Sequence, residues 1–362
     1  MTDDRPDPWG PFSGTGEPGS GVALPEAPSW RCFRAVGSPR PVPADDDSDK
    51  DSSAKLAALT EINVVRMINA ALLLRRPLLV TGPPGSGKST LARLVARELS
   101  LGPVLRWPIT SSSQLRHGLY SYDAIGRIHD ENRRRTGDRA GARLGRAVGP
   151  TAARSAAAER VRQRSARRPG PNDGDLGRYI RLGPLGTALL PWERPRVLLI
   201  DEIDKSDIDL PSDLLHVFEE GEFYIEELRR LPDDHPTVRV QTADRGGKLV
   251  AVPGGLVRCS EFPVVVLTSN DERTFPPAFL RRCLRLVLKQ HEKNQLETIV
   301  KVRIDGATGV AGLIDRFVGE RTEKTLATDQ LLQAIYLISG GGGRSAPNVD
   351  EVFGALLTNL AE

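Results

Sequence analysis

The segment Gly82–Ser89, GPPGSGKS, constrains the chain more than any other stretch. Ahead of it stands LLVT (Leu78–Thr81), a short apolar run of the kind that forms a strand covered on both faces. Behind it Leu91, Leu94, Val95 and Leu99 recur at helical spacing, which predicts a helix stopped by Gly102. A strand that turns through glycines into a helix aims successive backbone N–H groups, and the positive end of the helix, at a phosphate. The spacing GxxxxGK[ST] adds two side chains, Lys88 for the β- and γ-phosphates and Ser89 for a Mg2+ ion. The expected nucleotide-contacting set is therefore Gly82, Pro83, Pro84, Gly85, Ser86, Gly87, Lys88, Ser89 and Thr90. A plain Gly/Pro turn with an exposed lysine is the competing explanation, and it leaves the flanking strand and helix unexplained.

Two further apolar runs end on polar residues. RVLLIDEID places Asp201 and Glu202 directly after a strand, where adjacent acids are poorly solvated unless a cation or a polarised water uses them. Asp201 then suits Mg2+ and Glu202 the deprotonation of an attacking water, with a solvated acidic turn as the alternative. VVVLTSND delivers Asn270, either to the same water or to a simple turn. Open α/β sheets bind ligands beyond the carboxyl ends of their strands, so these runs and the Gly-rich loop point to one site.

PPAFLRRC carries Arg281 and Arg282 at a helix end, a position that suits solvated cations and equally an arginine that reaches another subunit's phosphate. GGGGRSAPNVDEV places Arg344 just before a helix N-terminus, where the dipole disfavours a cation.

Composition bounds the rest. Net charge is only +3, so no partner follows from global charge, and the three cysteines and five histidines show no zinc or disulfide spacing. Residues 1–54, rich in Pro, Gly, Ser and Asp, read as a disordered tail. From Lys55 to Arg76 a helix is expected, and PVLRW reads as a further strand. The stretch 127–168, crowded with Arg, Gly and Ala, reads as a mobile insertion extending to about 176. After Lys289 apolar stripes predict helices, one following a Thr328 cap and one running from Val349 to Leu360. The start of the chain has no leader-like pattern and no apolar run is long enough for a span, so a cytoplasmic protein without membrane contact is expected.

In the order GPPGSGKST, LLIDEID, LTSND, FLRRC and GGGRSAP, the chain resembles the AAA+ ATPases, in particular the MoxR-like branch of the dynein-related subgroup, from about Lys55 onward. YDAIGRI and RYIRLGPLGTALL look like the helix-2 insert of that branch, and DLLHVFEEGEFYI like the helix and strand that follow. The resemblance implies a P-loop α/β core over 55–290, with a five-stranded parallel sheet sandwiched by helices, and a small all-α lid over 291–362. It also implies ATP and Mg2+ as cofactors, a hexameric ring of identical subunits, a finger role for Arg281 or Arg282, and a nucleotide-binding, phosphate-sensing role for Arg344 from the lid. A chaperone-like remodeller acting with a von Willebrand factor A domain partner follows by family analogy, with the effector on a separate protein.

Two other functions compete with that one. A nucleic-acid motor, as in the related restriction GTPases, draws on the arginine-rich stretch, but no aromatic residue interleaves those arginines to stack bases. A nucleotide-gated assembly switch with little turnover would bind ATP without releasing phosphate. No NKxD-type guanine-reading motif follows the core, which disfavours GTP.

Overall fold

Strands that are apolar throughout form the centre, because only burial on both faces removes them from water. In the computed structural model, β1 (Leu78–Thr81), β2 (Leu105–Pro108), β5 (Val197–Asp201), β10 (Val264–Ser269) and β11 (Leu284–Val287) make a five-stranded sheet in the order β11-β1-β10-β5-β2. Every pairing in it is parallel. The structure describes residues 10–19, 23–44, 61–133, 173–231, 237–304, 310–321, 326–339 and residue 356.

Helices cover both faces. On one face α1 (Ile62–Leu74) and α2 (Lys88–Glu98) pack Ile68, Leu72, Leu91 and Val95 against Val80, Leu199 and Val266. On the other, α3 (Leu115–Leu119), α4 (Pro184–Ala188) and α5 (Leu210–Glu220) bring Leu119, Leu185, Leu214 and Phe218 onto Leu79, Ile200 and Leu267. The helix expected from Lys55 begins at Ile62 instead, since Glu61 ahead of it is extended at φ −69° and ψ 148°; residues 55–60 lie outside the described set. The helix expected to stop at Gly102 ends at Glu98, where Leu99 and a left-handed Ser100 turn the chain. Gly102 instead permits a close approach of the N-terminal segment: at φ +74° a Cβ there would meet Val42 Cγ1 at 2.4 Å and Pro43 O at 2.7 Å.

That contact belongs to the largest correction. Of the expected disordered tail over 1–54, residues 10–19 and 23–44 are described, and they lie against the core around the amino ends of the central strands. Phe12 is fully buried, and its N–H and C=O pair with the side-chain amide of the equally buried Asn69. Glu98 accepts hydrogen bonds from Ser13 N and Oγ, Gly14 N and Gly16 N. Arg31 donates to Arg75 O and Phe218 O and stacks over Phe262, its guanidinium 4.6 Å from the ring centroid. Farther on, Arg40 bridges Trp192 and donates to Ala251 O at 2.7 Å. A composition average cannot register such anchors, because a few buried side chains offset the ordering entropy of their Pro- and Gly-rich neighbours.

Between β2 and β5, β3 (Tyr120–Tyr122) and β4 (Ile180–Leu182) join β7 (Thr237–Gln241) and β8 (Leu249–Pro253) in a four-stranded sheet. A smaller pair is formed by β6 (Glu222–Tyr224) and β9 (Leu256–Arg258). The insertion expected to be mobile from Arg127 is helical over 124–133, where Arg127 donates to Tyr122 Oη and Glu131 Oε1, while residues 134–172 lie outside the described set. Short α6 (Glu226–Arg229) and α7 (Pro277–Arg282) complete this part.

Beyond β11, α8 (Lys293–Arg303), α9 (Ala311–Glu320) and α10 (Thr328–Ile338) enclose their own apolar cluster of Leu296, Val300, Ile314, Phe317, Leu331 and Ile335. Thr328 is the first helical residue and not the cap; Gln330 Oε1 accepts the Ala327 N–H instead. Of the stripe expected over 349–360 only Leu356 is described, packed against this cluster, with its carbonyl accepting from Gln330 Nε2.

Candidate functional site

The strand order brings the polar strand ends together. β10 lies between β1 and β5, so Asn270 falls between the Gly82 loop and the Asp201–Glu202 pair. Lys88 Nζ donates to Gly82 O at 2.7 Å, Pro83 O at 2.9 Å and Asn270 Oδ1 at 2.8 Å. Burial pushes this lysine below its ordinary pKa, while the charges of Asp204, Asp201, Glu202 and Asp271 pull it back up. A half-desolvated ammonium among loop carbonyls has lost part of its hydration shell and gains more than a surface lysine from an anionic oxygen.

The loop needs its glycines for close approach. At Gly82, φ +147°, a Cβ would meet Leu288 O at 2.4 Å; at Gly85, φ +75°, it would meet Thr328 N at 2.6 Å. Pro83, Pro84 and Thr90 are half-buried, Gly87 turns the chain into α2 at φ +85°, and the buried Ser86 Oγ has no hydrogen-bond partner among the described residues. The Thr328 contact places the first turn of α10 on the loop, and the Gly85 backbone lies close enough to His291, ahead of α8, to pull its pKa up. Neither His291 nor Thr328 is marked in the sequence as a neighbour of the loop, since nothing in a one-dimensional pattern signals a contact across so many residues.

Asp201 is the hub. Its Oδ1 accepts from Ser89 Oγ at 2.8 Å and Thr268 Oγ1 at 2.7 Å, and its Oδ2 accepts from Arg106 Nε at 3.1 Å and Nη2 at 2.6 Å. Burial pushes its carboxyl up, but the hydrogen bonds from Thr268, Arg106 and Ser89 together win and hold it below its usual value. Ser89 and Asp201 thus present hard oxygen donors side by side at the start of α2, the donor chemistry that Mg2+ takes.

Glu202 follows in a left-handed conformation, φ 61° and ψ 51°, which a non-glycine residue adopts only when its surroundings enforce it. Its N–H donates to Thr268 Oγ1 at 2.9 Å, and its half-exposed carboxylate pairs with Lys205 at 2.9 Å. Asn270 is held from below: its N–H donates to Asp204 Oδ2 at 2.8 Å, and the other oxygen of buried Asp204 has no partner among the described residues. Thr268, Asp204 and Arg106 are the functional neighbours that motif reading missed. Thr268 and Asp204 stand inside the quoted motifs, and their roles become visible only once β10 is seated beside β5.

The two arginines at the end of α7 separate. Arg282 Nε donates to Glu219 Oε1 at 2.5 Å, on α5 of the same chain. Arg281 is exposed and its side chain has no partner among the described residues; only its carbonyl is used, by Arg76. Arg344 lies outside the described residues.

With this geometry in place, comparison with known proteins places the loop. Residues 78–134 match the model of the AAA family, ATPase family associated with various cellular activities. That match supports an AAA ATPase domain built around the Gly82 loop, with nucleotide binding and hydrolysis as its general chemistry. No curated protein matches the chain. Among solved structures, NtrX from Brucella abortus in complex with ADP aligns at 13% identity and a TM-score of 0.38, over 79% of this chain and 51% of that one. The chain thus spans about half the length of that protein, and the overlap is too loose to transfer any residue's role.

Proposed function

We propose that the chain binds ATP with Mg2+, hydrolyses it, and uses the energy to remodel or activate a partner protein, as a MoxR-like AAA+ ATPase working in a hexameric ring. The observation that carries the ATPase reading is the convergence of three strand ends: Lys88 on Asn270, and Ser89 and Thr268 on Asp201. Lys88 would exchange loop carbonyls for phosphate oxygens, and Ser89 with Asp201 would hold Mg2+, which when bound neutralises phosphate charge. Glu202 is the general base; to act it has to leave Lys205, an exposed ion pair of small net strength.

The ring rests on family resemblance together with Arg281, an exposed cation free to reach a neighbouring copy's nucleotide. The von Willebrand factor A partner rests on resemblance alone. The test is phosphate release measured against protein concentration with mass photometry on the same samples. Turnover that rises with assembly, and Glu202→Gln that retains ATP without cleaving it, support the reading. Turnover independent of concentration removes the ring, and undiminished turnover in Glu202→Gln removes the base.

A further inference from the structure

Arg106 occupies a position that no nucleotide-binding motif requires. It lies on the edge strand β2, whose register pairs Arg106 with Leu199 and Pro108 with Asp201. Opposed residues of paired strands share a face, so Arg106 and Asp201 lie on the same side of the sheet, one pleat apart. Leu199 on that face packs against α2, the helix that begins at Lys88 and Ser89. The arginine reaches along the strand and places both Nε and Nη2 on Asp201 Oδ2, while Ser89 and Thr268 hold Oδ1. The carboxylate is 9% exposed, whereas the arginine side chain is 57% exposed. It caps the acid from the solvent side and has open space to leave into.

We infer that Arg106 is a placeholder cation, which neutralises Asp201 until a divalent ion arrives together with nucleotide, and then moves off. This rests on the proposed Mg2+–nucleotide site and adds a residue that sets its metal threshold. A hydroxyl donor to Oδ1 tolerates a nearby metal ion, but a guanidinium and a divalent cation at one carboxylate repel each other. One carboxylate released from its arginine offers a bare ion little; phosphate oxygens supply the remaining attraction. Metal binding is therefore tied to nucleotide binding, and Arg106 is a positioning residue rather than a catalytic one.

The experiment uses the full chain and Mn2+ as probe, following free Mn2+ by electron paramagnetic resonance with and without ADP. A fluorescent ADP analogue measures nucleotide affinity in EDTA. In the ADP complex Arg106→Gln is expected to bind Mn2+ about fivefold more tightly, the ratio that corresponds to a screened, partly exposed ion pair. Arg106→Lys, which keeps the charge, is expected to restore the wild-type value, and metal-free ADP affinity should stay within about twofold across the three proteins. Mn2+ affinity that is unchanged or weaker in Arg106→Gln overturns the inference while leaving the nucleotide site intact. Failure of the wild type to bind the ADP analogue overturns the nucleotide reading itself, and the inference with it.

Discussion

Thr268→Val replaces one atom at the centre of the site and separates several consequences. The Thr268 hydroxyl donates to Asp201 Oδ1 at 2.7 Å and accepts from Glu202 N at 2.9 Å. Valine fills the same volume but restores neither bond. Losing a charge-assisted donor costs about 1.5–3 kcal/mol, and an N–H left without an acceptor costs about 1–3 kcal/mol. The turn at Glu202 can relax toward solvent, so a total of about 2–4 kcal/mol is expected rather than the full sum. In a domain of this size that lowers Tm by about 5–15 °C. With the N–H no longer held, the left-handed Glu202 loses one of its restraints, so kcat should fall more than KM rises.

The pH dependence gives an internal control. Asp201 is held below its usual pKa, so its contribution is present above the unfolded carboxylate value of 3.8 and is lost as pH falls through the folded value. The stability gap between wild type and Thr268→Val should therefore narrow as acid protonates Asp201, leaving the part due to the Glu202 N–H. Urea unfolding at neutral and acid pH, with steady-state ATP hydrolysis, measures both effects, and Thr268→Ser should recover most of each. A Val variant within about 0.5 kcal/mol of wild type, with normal turnover, would refute the role of Asp201 as hub; that scatter is what a surface change produces.

Three further outcomes are expected. Arg281→Ala should lower turnover of the assembled protein by a factor on the order of 10³, whereas Arg282→Ala, which breaks an exposed pair with Glu219, should leave turnover within a few-fold; equal losses in phosphate-release assays would reject the assignment. Phe12→Ala should destabilise the protein by about 3–5 kcal/mol because the ring is fully buried, and unaltered urea unfolding would show that the N-terminal segment does not anchor the core. Burial lowers the His291 pKa below 6.5, with Gln295 and the Gly85 backbone pulling it up and Arg321 pushing it down. Its stabilising contribution is thus complete above 6.5 and lost as pH falls toward the lowered value, so wild-type Tm should drop more steeply below pH 6.5 than that of His291→Gln, and parallel curves would count against it.

Features legible in the sequence and features visible only in the fold divide along a physical line. Strand β1 is present over the residues LLVT, and the Gly82 loop and α2 follow in the expected order, because these features depend on neighbours within a few positions. Asp201 and Asn270 were legible for the same reason, as polar residues ending apolar strands. The N-terminal segment was not legible, because Phe12, Arg31 and Arg40 gain their stability from Asn69, Phe218 and Ala251. The pairing of Arg282 with Glu219, which leaves Arg281 available, also needed the packing of α7 beside α5. Local composition and period determine which residues can bind a phosphate or end a strand. Tertiary structure alone decided that β10 sits between β1 and β5, that Thr268 and Arg106 share Asp201, and that Gly85 touches α10, since each depends on through-space burial and hydrogen bonding between segments far apart along the chain.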